Sequence, residues 1–144
     1  MSDLEHAKKE LVTDLGSPKV EALVEAMFLA ATADGEFAPE EAVQFTATIG
    51  ALTDRKLEGE AVHQLIERLS ETLKAEGRQK RIESIAARLP AGKPRETAII
   101  LAAAITASDG EFEAAENDFV ADLADSLGVD PERAIELVQK VHRR

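Results

Sequence analysis

The sequence predicts an all-α fold, a single domain of seven or eight helices, and three observations support this prediction. The chain has 144 residues, 44% of them hydrophobic, which is enough for one core. Its apolar residues are mainly Ala, Leu, Ile and Val, with five Phe and no Trp or Tyr, a composition that favours helices over strands. These residues recur at helical spacing between Gly and Pro positions that end or begin helices.

Three helices are predicted in the first third of the chain. Residues 3–15 have the pattern of a short amphipathic helix. Ser17 and Pro18 then supply an N-cap and a first helical residue for a helix over about 18–33. Pro39 begins the third helix. Its buried stripe is predicted to consist of Val43, Phe45, Ile49 and Leu52.

Residues 57–90 are predicted to form two helices, over about 57–75 and 78–89, because apolar side chains recur there every three to four residues. Gly77 separates the two helices. A connector follows, formed by Pro90, Gly92 and Pro94.

The last third of the chain predicts three more helices. The helix over about 94–108 is apolar on all sides, so it is expected at the centre of the fold. A helix over 114–127 follows and ends at Gly128, and Asp130 with Pro131 begins the last one. The last helix is predicted to bury Ala134, Ile135, Val138 and Val141.

The chain contains an internal repeat. Residues 30–41 read AATADGEFAPEE and residues 105–116 read ITASDGEFEAAE, at an offset of 75. A repeat at a fixed offset indicates a duplicated structural unit. We therefore predict two helix hairpins, over about 20–55 and 95–130, packed about a pseudo-two-fold axis and bridged by about 57–90, in a single domain spanning 1–144.

Charge and cysteine content exclude several classes of function. Lys and Arg total 17 against 28 Asp and Glu, a net charge of −11, so nucleic-acid binding is disfavoured. The absence of Cys excludes thiolate chemistry. The charged N-terminus has no signal-peptide pattern, and the longest apolar run, 98–105, is too short to span a bilayer. A cytoplasmic protein is expected.

Most residues of the repeated motif can be explained by their roles in ending one helix and beginning the next. Gly35 and Gly110 suit the left-handed position after a helix. Phe37 and Phe112 would pack back on those helices. Glu41 and Glu116 would occupy the third position of the next helices, where a carboxylate can reach free N–H groups.

Two aspartates do not fit that explanation. Asp34 and Asp109 follow the negative end of a helix dipole, where an acid costs about 0.3–1 kcal/mol. Either each accepts N–H groups of the next helix, or a cation lies between Asp and Glu. In the second case Asp34, Glu41, Asp109 and Glu116 would be the ligands, and oxygen ligands suit Ca²⁺, Mg²⁺ or Mn²⁺. The spacing does not match an EF-hand.

The chain resembles a known family at these motifs. The segments ADG at 33–35, ASDGEF at 107–112 and LADSLGVDP at 123–131, with Glu41 and Glu116, are similar to the tellurite-resistance protein TerB. A related domain occurs at the N-terminus of a membrane-anchored DnaJ-like co-chaperone. The resemblance extends over residues 20–135.

The resemblance implies an all-helical, duplicated fold linked to tellurite and other stress resistance in bacteria. It implies a metal-binding surface at the two acidic corners, the helix–helix connections at 34–41 and 109–116 that carry the repeated acids. It also implies action within larger protein complexes near the inner membrane. No enzymatic activity defines the family. The chain departs from the family pattern at Ala38, where Ser is common.

A basic stretch lies between the repeats, opposed by Glu83 alone. It consists of Arg78, Lys80, Arg81, Arg88, Lys93 and Arg95. This stretch is either a solvated helix face or a docking patch for an acidic partner or anionic lipid. Three histidines are isolated in sequence and are not expected to be ligands, namely His6, His63 and His142.

These observations favour a binding module, not an enzyme, that works through protein contacts and binds a divalent cation at the acidic corners. One alternative is a metal-free acidic adaptor that docks through the basic stretch or an apolar groove. Another is a carboxylate-based, metal-dependent hydrolase, although neither motif offers an evident base. Homo-oligomerisation stays open.

Overall fold

The computed structural model describes residues 18–32, 39–52, 59–107 and 114–142, and every regular element within these ranges is an α-helix. The predicted all-α fold is confirmed. The predicted helix over 3–15 lies outside the described residues. In chain order the helices are α1 (Pro18–Ala31), α2 (Pro39–Leu52), α3 (Glu60–Glu76), α4 (Arg78–Arg88), α5 (Lys93–Ala107), α6 (Ala114–Leu127) and α7 (Pro131–His142).

The boundary between α6 and α7 shows how local sequence sets the helix ends. Gly128 has φ 71°, a left-handed conformation that glycine adopts without strain. The N–H of the next residue, Val129, donates to the carbonyl oxygen of Ala124 at 2.9 Å and closes the end of α6. Asp130 Oδ1 accepts the backbone N–H of Glu132 at 2.9 Å, so the predicted N-cap of α7 is confirmed.

Two helices, α1 and α5, form the centre of the fold. Their mutual contact is the most extensive interhelical contact in the described part of the chain. Residues 22–30 of α1 and 97–103 of α5 are all buried. The central position of α5 follows from its apolar sequence. The equal burial of α1 was not predicted, because Glu21 and Glu25 interrupt its apolar pattern.

Two residues predicted to be buried lie on the surface. Val43 is 71% exposed and Ile135 is 57% exposed, so both predictions are wrong. Val43 precedes the buried Phe45 by two residues, and Ile135 precedes the fully buried Leu137 by two. Because two residues of an α-helix turn through about 200°, each exposed residue points away from the buried stripe.

The helix bounds follow the offset of the sequence repeat. Helix α2 begins and ends 75 residues before α6, and α1 begins 75 residues before α5. In the first hairpin, the Phe28 ring on α1 meets Phe45 on α2 edge to face, with 6.1 Å between centroids. The pseudo-two-fold relation of the hairpins and the predicted repeat boundaries stay predictions. In the described ranges, no helix combines the length and apolar character needed to cross a bilayer.

Two positions on α7, the buried Leu137 and the exposed Ile135, test which face of this helix packs against the core. We expect Leu137→Ala to lower the free energy of unfolding by about 2–5 kcal/mol, because it leaves a cavity in the core. The matched variant Ile135→Ala removes a mostly exposed side chain and is expected to change it by less than about 0.5 kcal/mol. Urea unfolding of both variants measures the difference. Equal losses would contradict the exposure of Ile135.

Candidate functional site

The four acidic residues of the repeat lie at or beside the ends of described helices. Glu41 is the third residue of α2 and Glu116 is the third residue of α6, the predicted helix position in both cases. The side chains of both glutamates, and all of Asp34 and Asp109, lie outside the described residues. The four-carboxylate cation site therefore stays a prediction. Elsewhere, no group of three or more His, Asp or Glu that could hold a metal occurs among the residues described.

Arg78, the first residue of α4, links the helices that border the two corners. Its Nη1 donates to the carbonyl oxygen of Leu29 at 2.9 Å, and its Nη2 donates to the carbonyl oxygen of Thr32 at 2.6 Å and to Thr32 Oγ1 at 3.2 Å. The same guanidinium lies 5.7 Å from the ring centroid of Phe119 on α6, within cation–π range. One side chain thus contacts the end of α1 and the second turn of α6.

Arg95 makes similar contacts at the other end of α4, the end away from Arg78. From the start of α5, its Nη1 donates to the carbonyl oxygen of Leu127, the last residue of α6, at 2.8 Å. Its other donors reach the carbonyl oxygens of Ala86 at 3.0 Å and Leu89 at 3.1 Å, at the end of α4. The start of α5 therefore lies beside the ends of both α4 and α6.

The contacts of these two arginines relate the end of α1 to the two ends of α6. Helix α4 begins beside the end of α1 and ends beside the start of α5. Helix α6 runs back along α5, and its early residue Phe119 lies beside Arg78. The end of α1 and the beginning of α6 are therefore at the same end of the molecule.

Arg78 also bears on the unfavourable position of Asp34. The last carbonyl groups of a helix have no partner within it and carry the negative end of the dipole. At α1 the guanidinium of Arg78 meets these carbonyls with a positive charge. This is a third way to offset the dipole, and neither explanation considered from the sequence included it.

A buried ion cluster joins α1 to α4, and the sequence pattern did not predict it. Glu25 is 1% exposed and its carboxylate accepts two hydrogen bonds from Arg81, at 2.7 Å and 2.8 Å. Arg88 donates to the same carboxylate, and Arg81 also donates to Glu76 at 3.0 Å. Hydrogen bonding to Glu25 raises the pKa of Arg81 above its ordinary value, although burial opposes this, so the guanidinium stays charged.

One sequence signal for this cluster was present. Glu25 stands inside an otherwise apolar run of α1, and Arg81 and Arg88 are seven residues apart, which places them on one face of α4. A buried carboxylate requires charged hydrogen-bond donors, and the two arginines supply them.

The four arginines of the basic stretch therefore have a structural role that neither interpretation made from the sequence included. All four of its arginines contact other parts of the fold and are partly buried. Its exposed cations in the described structure are Lys80 and Lys93. A docking patch for an acidic partner would have to depend on these two lysines.

Comparison with protein families supports the resemblance of the motifs. The family model described as tellurite resistance protein TerB matches residues 21–139, most of the chain. The chain belongs to the TerB family. Neither a curated protein nor a solved structure matches it. The matched region includes both acidic corners, the ion cluster of α1 and α4, and both arginines that mark the ends of this TerB-family fold.

The ion cluster generates a stability prediction. Glu25→Gln removes the charge that two partly buried arginines share, and we expect a loss of about 3–5 kcal/mol in the free energy of unfolding. The matched control is Glu21→Gln, because Glu21 pairs with Arg68 at 2.6 Å where the two side chains are 45% and 61% exposed. An exposed pair contributes about 0.2–1 kcal/mol. Urea unfolding at neutral pH compares the variants, and similar losses would show that Glu25 is not specially stabilised.

Proposed function

We propose that this TerB-family protein is a binding module that takes up a divalent cation at its two acidic corners and acts through contacts with protein partners. The proposed ligands are Asp34, Glu41, Asp109 and Glu116. The observation that supports the proposal most is the placement of the bordering helix ends. The end of α1 and the beginning of α6 lie at one end of the fold, so the repeated acids are expected to converge there.

The chemistry of the proposed ligands selects the class of cation. Four carboxylates offer only oxygen, which suits Ca²⁺, Mg²⁺ or Mn²⁺ better than metals that prefer nitrogen or sulfur. The net charge of −11 adds a favourable field for any cation. Arg78 contributes a positive charge at this end, but the carboxylates outnumber it.

We prefer a non-catalytic binding module over a hydrolase. Arg78 is the kind of residue that could clamp a reacting oxygen, but its described donors are directed to Leu29 and Thr32. The motifs themselves contain no evident base. Action in the cytoplasm, within a protein complex at the inner membrane and in response to stress, is part of the proposal and rests on family membership.

Thermal melting tests the cation site. We expect Ca²⁺ or Mn²⁺ at one hundred times its dissociation constant to raise the melting temperature of the wild type by about 5–10 °C, because a ligand that binds only the folded state stabilises it. EDTA should reverse the rise. The double variant Asp34→Asn/Asp109→Asn should show no rise.

The control for that experiment is Asp122→Asn/Asp125→Asn, which removes the same charge from exposed positions on α6. It should keep the full cation-dependent rise. A wild type that does not respond to millimolar cation, or a control that loses the response equally, would contradict the proposed site.

A further inference from the structure

We propose that Arg78 is the positioning residue that holds the two acidic corners together as one site, an inference that rests on the proposed function for its ligand. The proposal is based on two contacts made by the Arg78 side chain. Arg78 binds the end of the helix before the first corner and lies against the helix after the second.

The first contact sets the end of α1. Leu29 and Thr32 belong to the final turn of α1 and the residue after it, and Thr32 precedes Asp34 by two positions. Hydrogen bonds of 2.9 Å and 2.6 Å from one planar group fix the direction of both carbonyls. The chain therefore leaves α1 toward the first corner from a backbone that Arg78 holds.

The second contact sets the start of α6. Phe119 follows Glu116 by three residues, so the backbone positions of these two residues lie on the same face, one turn apart. A guanidinium against the Phe119 ring thus fixes the distance between this turn and the end of α1. Through these contacts, Arg78 touches residues that are close in sequence to one acid of each corner. Thr32 precedes Asp34 by two residues, and Phe119 follows Glu116 by three.

Both contacts together require arginine. The guanidinium donates to several oxygens in its plane while its face lies against an aromatic ring. A lysine at this position keeps the positive charge but cannot form the planar fork. Arg78→Lys therefore separates positioning from charge.

Arg95 provides a matched control. It is also partly buried and also donates to carbonyl oxygens at helix ends, those of Ala86, Leu89 and Leu127. These contacts lie at the opposite end of the molecule from the corners. Arg95→Lys therefore measures the effect of removing arginine hydrogen bonds to helix ends that lie away from the corners.

The experiment measures Mn²⁺ and Ca²⁺ affinity by calorimetry on the full chain, and amide hydrogen exchange in EDTA. We expect Arg78→Lys to weaken cation binding about ten-fold, the size of effect seen when a residue that orients metal ligands is replaced. Arg95→Lys should bind within about two-fold of wild type. Without cation, Arg78→Lys should speed exchange at both 27–32 and 114–120, and Arg95→Lys should not. Phe119→Leu is a milder variant that removes the ring face, and it should weaken binding in the same direction.

The outcomes distinguish this inference from the proposed function. A wild type that binds no cation overturns the function, while exchange in EDTA still tests Arg78. The positioning role is overturned if Arg78→Lys leaves exchange at either helix end unchanged. It is also overturned if a cation-binding protein keeps its affinity in Arg78→Lys, or loses it equally in Arg95→Lys.

Discussion

Arginine side chains that donate to a buried carboxylate and to carbonyl groups at helix ends join the helices of this fold. Glu25 is buried in a central helix, and a charge there is tolerated only with charged donors around it. Arg81 and Arg88 supply those donors and thereby seat α4 on α1. Arg78 and Arg95 do the same for carbonyls at helix ends. No buried side-chain nitrogen or oxygen in the described residues lacks a hydrogen-bond partner.

The contacts of these arginines also affect the charge on the surface of the described part of the protein. Four of the chain's basic residues are partly buried against the fold, which leaves fewer exposed cations among the described residues of a chain whose net charge is −11. An acidic surface attracts cations and basic partners and repels anionic ones. Within the basic stretch of the sequence, the four arginines join α4 and the start of α5 to neighbouring helices.

The same bridges position the region where function is proposed. Arg78 at the start of α4 contacts both the end of α1, which precedes the first corner, and the early part of α6, which follows the second. The two copies of the acidic motif, 75 residues apart in the sequence, are for this reason proposed to converge at one end. The residues that match the TerB family model include α4 as well as both repeats of the sequence.

The sequence by itself determined the helices and their ends. Gly77, Gly128, Asp130 and Pro39 act on the backbone within a few residues, so their effect is visible without the fold. It also revealed the repeated acids and the family. Only the tertiary structure decided that Glu25 is buried, that Arg81 binds it across 56 residues of chain, and that Val43 and Ile135 face outward. Such outcomes depend on which helices become neighbours, and local sequence does not encode contacts between distant segments.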